Sequence, residues 1–191
     1  MAEPTRHSPL AGLEAEMEKA SWTGAALEPA PFFAQTGLRA APPARARLEA
    51  TLGTPLPPAL RFTASKLGDV LSVGPDEWLI VGPDGSGDTA AKELTAAAGG
   101  EGAVTPLSGN VTGLLLRGAA ARDVLATCCA LDLHPRAFSA GYCGATLLAK
   151  APVIIQQLDA APGYRLLFRP SLAAYVVGWL VQGIISVRAA P

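Results

Sequence analysis

Charge is scarce in this chain. Of its 191 residues only 16% are Asp, Glu, Lys or Arg, against roughly 25% in ordinary globular proteins. The 15 basic and 16 acidic side chains leave a formal net charge of −1. No basic field is present to attract a phosphate backbone, so nucleic acid is excluded as an expected partner. Cysteine is nearly as sparse, with Cys128 and Cys129 adjacent and Cys143 alone. Without a Cys-x-x-Cys pair there is no start for a disulfide framework or a zinc site, and three thiols suit a reducing cytoplasm. Histidine occurs only at His7 and His134, and no metal set, catalytic triad or acid pair emerges around either. Residues 1–10 lack the apolar core of a secretory signal.

Apolar residues make up 50% of the chain, with 20 glycines and 17 prolines. That is enough to bury a substantial core without disulfides or metals. It is also more apolar surface than 16% charge can clothe, so partner chains are expected to cover part of it.

Residues 1–30 show no sustained period and read as an N-terminal arm, partly helical over Leu10–Lys19. Residues 31–187 read as a single domain. Between Pro31 and Leu60 the prolines are dense, and only Thr36–Arg39 reads as a strand. Val70–Val73 and Trp78–Val81 form a hairpin about the Gly74-Pro75-Asp76-Glu77 turn. A helix follows, with Asp88 as its N-cap and an end at Gly99-Gly100. Gly85-Ser-Gly87 has neither the lysine of a P-loop nor the spacing of a dinucleotide fingerprint.

Ala103–Ser108 and Thr112–Arg117 read as strands, and Ala121, Val124, Leu125 and Cys128 recur at the spacing of one helix face. Pro135 stops that helix, and Gly141 and Gly144 release the chain into a strand over Thr146–Ala149. Ala151–Leu158 is a strand interrupted at Pro152, which cannot donate to a ladder and belongs at an edge or bulge. Tyr164–Arg169 returns antiparallel, and Ser171 opens a final helix. Pro170–Val187 has no charged side chain, which is the lower limit of length for a membrane span. Its Pro, Ser, Gln and Gly content, with no positive cluster beyond Arg169 and Arg188, favours a buried helix instead.

The chemistry-bearing residues read as structural. His134 stands before Pro135 in a loop, between Asp132 and Arg136, with no second catalytic partner. Cys128 falls on the buried helix face, where a thiol is inert. Glu77 is a solvated turn residue.

The segment from Arg117 to Gln156 resembles the gamma subunit of bacterial heterotetrameric sarcosine oxidase. The likeness rests on Gly118, Ala121, Arg122, Asp123, Val124 and Leu125, then the octapeptide from Leu131 to Phe138, then Gly141, Cys143 and Thr146–Ala149. Ser8-Pro9-Leu10, the string from Gly74 to Pro83, and the Tyr- and Trp-containing last helix extend it. The family is similar in turn to the folate-binding domain of aminomethyltransferases (glycine-cleavage T-proteins). This chain departs from its relatives where they carry Asp and then Ser-His, having Pro106 and then Ser108-Gly109.

The element order favours an α+β fold of two layers, a largely antiparallel sheet with helices on one face, and the resemblance sharpens this to the aminomethyltransferase folate-binding type. It implies a small non-catalytic subunit of a complex that demethylates sarcosine to glycine, passing the one-carbon unit to tetrahydrofolate or releasing formaldehyde, and forming hydrogen peroxide. Alpha, beta and delta subunits are the implied partners. FAD, FMN, NAD, zinc and tetrahydrofolate are implied on those chains, with no cofactor, metal or catalytic residue in this one. The competing reading is a free-standing folate-binding or aminomethyltransferase-like protein. On the last helix, Leu172, Tyr175, Val176, Trp179, Leu180 and Gly183 share the face expected toward the chain's own sheet. Ala174, Val177, Gly178 and Val181 form a second face too apolar for water and are the expected partner interface.

Overall fold

The computed structural model describes residues 6–160 and 163–190. Among the described residues, ten strands form two five-stranded sheets, antiparallel throughout. The first sheet has the order β1 (Ala26–Pro29), β7 (Thr112–Arg117), β10 (Gly163–Phe168), β9 (Ala151–Asp159), β8 (Cys143–Leu148). The second has the order β3 (Phe62–Ser65), β4 (Gly68–Gly74), β5 (Glu77–Pro83), β2 (Phe33–Ala40), β6 (Gly102–Pro106). Helices α1 (Glu14–Ala20), α4 (Ala121–Ala126) and α5 (Ala173–Ala189) cover one face of the first sheet. Helices α2 (Pro42–Leu52) and α3 (Gly87–Ala98) cover one face of the second. The expected α+β unit, an antiparallel sheet with helices on one face, is therefore present twice.

The bare faces of the two sheets meet. Leu71, Leu79 and Val81 of the second sheet pack against Cys143 and Leu167 of the first. Strands β5 and β10 are consequently buried on both sides. Trp78 and Ile80 point to the helices while Leu79 and Val81 point to the other sheet, and Leu166 and Phe168 alternate with Leu167 in the same way. Double burial is why these strands read as unbroken apolar runs instead of alternating ones. A polar clasp crosses the seam: the Arg165 guanidinium lies 2.6 Å from an Asp69 carboxylate oxygen and donates to Gln156 Oε1 at 2.8 Å.

Two expectations change. The segment read as an arm is, from Leu10 onward, part of the folded body. Leu10, Met17 and Ala20 are fully or almost fully buried in the first core, and β1 pairs with β7. Its apolar residues are too few to show a period, yet they join the core beneath α1, β1 and α5. The proline-rich stretch also holds a helix, α2, with Pro42 and Pro43 in its first turn. Those positions need no N–H partner, so proline starts a helix there instead of breaking it. Gly53, in the left-handed conformation, closes it. Pro152 sits in β9, which is flanked by β8 and β10, but it precedes Val153, the first residue paired with β10. It therefore costs the ladder no donor on that side.

Candidate functional site

The family-like octapeptide folds as a self-bonded loop. His134 N–H donates to Asp132 Oδ1 at 2.9 Å, and Arg136 N–H donates to His134 Nδ1 at 3.2 Å. The His134 carbonyl accepts from both Ala137 and Phe138 at 2.8 Å. These bonds turn the chain so that Leu133 and Phe138 drop into the first core while His134, Pro135 and Arg136 stay exposed. The imidazole holds a turn and faces no acid of an acid–base pair.

The thiols are equally occupied with structure. Burial pushes the Cys128 thiol up to about 11, with the Thr127 hydrogen bond lowering it slightly and the neighbouring Cys129 raising it. Burial likewise pushes Cys143 up to about 11, against a small lowering by the Ser72 backbone. Cys143 Sγ donates to the Arg61 carbonyl at 3.1 Å, tying the first sheet to the second. A thiol that keeps its proton to such pH is a poor nucleophile and a poor metal ligand. Among the described residues, no three His, Cys, Asp or Glu side chains group in a way that holds a metal ion. Asp88 lies in the first turn of α3 and makes no side-chain cap. Glu77 is half exposed and sits 3.4 Å from Arg39.

The departure from the relatives at Pro106 and Ser108-Gly109 falls at the exposed end of a strand and the loop after it. Pro106 ends the edge strand β6, exposed, and the Ser108 hydroxyl accepts from Gln35 N–H of β2 at 3.2 Å.

The exposed apolar features are different. Helix α5 buries Val176, Val177, Leu180, Val181, Gly183 and Ile184 against the first sheet and α4. Gly183 permits that approach, since a Cβ would meet Thr127 Oγ1 at 2.7 Å. The outward stripe is Ala174, Tyr175, Gly178, Trp179, Gln182 and Ile185. This corrects the expected interface. Val177 is 0% and Val181 5% exposed, inside the chain's own core, while Tyr175 and Trp179, expected inside, face out. An almost uniformly apolar helix has little sequence signal for its own phase, and the sheet beneath decides it. Ala174 and Gly178, of the expected four, do lie on the outward stripe. Together with Tyr175, Trp179, Gln182 and Glu16 of α1 they line a groove of about 380 Å³. Pro170–Ala189 is long and apolar enough by composition to cross a membrane, but its inner face is built into this core.

A sandwich of two antiparallel sheets with helices outside each is a fold of the aminomethyltransferase type. A glycine cleavage system aminomethyltransferase T from Bartonella henselae shares this fold at a TM-score of 0.64 and 17% identity, over 91% of this chain and 49% of that one. Closer likeness is specific. The chain belongs to the sarcosine oxidase, gamma subunit family, whose profile matches residues 36–185. It is 40% identical over 185 residues to the sarcosine oxidase subunit gamma of an Arthrobacter species, covering 94% of this chain and 90% of the relative. It superposes on a chain of the heterotetrameric sarcosine oxidase from Corynebacterium sp. U-96, solved in complex with pyrrole 2-carboxylate. That match has a TM-score of 0.87 and 36% identity, covering 97% of this chain and 98% of the other.

Proposed function

We propose that this chain is the small, non-catalytic subunit of a heterotetrameric complex that oxidatively demethylates sarcosine to glycine. The observation that carries the reading is the end-to-end match to a chain of such a complex, at 36% identity and with 98% of that chain covered. The side chains support a structural role: the thiols are protonated and bonded, and His134 is spent on its own loop. Alpha, beta and delta subunits are the partners in this reading. The flavins, NAD, zinc and tetrahydrofolate belong to those chains, in the cytoplasm. The outward stripe of α5, including Ala174 and Gly178 of the interface expected from sequence, is where a partner covers apolar surface that water does not favour.

The purified chain on its own is expected to be colourless, with no flavin absorbance and no sarcosine-dependent peroxide release. A yellow preparation that turns over sarcosine would overturn the non-catalytic role.

A further inference from the structure

Leu60 is held in a conformation that leucine avoids. Its φ is +62°, at the third position of a turn closed by Arg61 N–H donating to the Pro58 carbonyl at 3.2 Å. Glycine or asparagine normally occupies such a position, and a branched side chain there strains the backbone. The strain gains no burial, for Leu60 is 55% exposed, the highest value among the exposed large hydrophobic residues. The surrounding bonds pin it in place. Cys143 N–H donates to the Leu60 carbonyl at 3.1 Å, Phe62 N–H donates to the Gly141 carbonyl at 3.0 Å, and the Arg61 guanidinium stacks 3.4 Å above the Tyr142 ring.

The turn lies against the outer edge of β8, the last strand of the first sheet. That edge is closed at one end by Leu60 and at the other by Ala149 N–H donating to the Cys128 carbonyl. Between them, among the described residues, no strand lies beside Ala145–Leu147. Open edges are ordinarily blunted by charge, proline or a bulge; this one reads Cys143-Gly-Ala-Thr-Leu-Leu148 and carries none of them. Leu147, roughly 10 Å along the strand from Gly144, is 52% exposed. The following turn meets α5, where Tyr175 Oη accepts from Lys150 N–H at 3.3 Å.

From these observations we infer that Leu60 and the open edge of β8 form a docking ridge for an unlike subunit, with Leu60 inserting into an apolar socket on that subunit. The inference rests on the subunit reading above. An unlike chain is favoured over a second copy because the superposed chain comes from a heterotetramer, and the ridge lies next to the outward stripe of α5, with the exposed Lys150 turn between them. The Leu60 backbone serves the fold by accepting from Cys143 N–H, while its exposed side chain is left for a contact in an assembly.

The test is made on the complex produced by co-expressing this chain with the other subunits. Leu60→Gly relieves the backbone strain, so the variant chain is expected to melt at or above the wild-type temperature while its dissociation constant in the complex, read by mass photometry on dilution, rises about tenfold or more. Leu147→Thr keeps a strand-compatible residue and is expected to weaken assembly in the same direction, which covers the case of a Leu60 variant that fails to fold. Assembly of both variants within about twofold of wild type overturns the ridge alone. Self-association of the isolated wild-type chain that Leu60→Gly abolishes shows a second copy as the occupant and overturns the proposal. Failure of the wild-type chain to join the complex overturns the subunit reading itself, and the ridge with it.

Discussion

Cys128, Cys143 and Tyr164 share one physical condition: each loses water on folding, so each holds its proton more tightly in the folded chain than in the unfolded one. For the two thiols the pKa moves from 9.0 up to about 11. Below pH 9 both states are protonated and the contribution to stability is complete. As pH rises from 9 towards 11 the unfolded chain ionises first, and that contribution is lost. We expect the urea midpoint to be flat between about pH 7 and 8 and to fall between about pH 9 and 11. A Cys128→Ala, Cys143→Ala double variant should fall less steeply over the same interval. Identical slopes would show that the thiols are not the buried, bonded groups described here.

At the scale of elements, α5 carries the sharpest contrast. Val181 lies in the first core, so Val181→Asp places an unpaired charge there and is expected to cost several kcal/mol, enough to unfold the isolated chain. Trp179→Ser lies on the outward stripe and is expected to cost far less, on the order of 1–2 kcal/mol, and to leave the isolated chain folded. Thermal melts followed by circular dichroism separate the two, and equal melting of both variants would mean that the phase of α5 is misassigned. Most elements were legible in the sequence because they announce themselves locally. The hairpin of β4 and β5 has its turn residues, α3 ends on Gly99, and β7 matches the apolar run Thr112–Arg117 residue for residue. The elements that escaped are those whose local signal is ambiguous. Pro42-Pro43 marks a helix start as well as a break, β1 is four residues long, and the phase of α5 is set by the sheet it lands on. The candidate site was legible only as an uncharged helix surface. The strain at Leu60 is a backbone dihedral, and nothing in Pro57-Pro-Ala-Leu60 signals it.

Taken whole, the molecule is two sheet-and-helix halves joined face to face, with Arg165, Gln156 and Asp69 clasping the seam. The sequence reads as one such sheet with helices on one face; the apolar runs Trp78–Val81 and Leu166–Phe168 carry the double burial, but a short apolar run alone does not tell one buried face from two. The low charge likewise belongs to this scale. It leaves Trp179 43% exposed along with Leu60 and Leu147, on a chain with too little polar surface to isolate them. The chain makes best physical sense as a component of something larger. The direct measurement is native mass spectrometry of the sarcosine-oxidising complex, affinity-purified after co-expression of all its subunits. We expect this chain in the intact assembly together with the alpha, beta and delta subunits, leaving only when the assembly is dissociated. An intact complex of full sarcosine-oxidising activity that lacks this chain would contradict its role as a subunit.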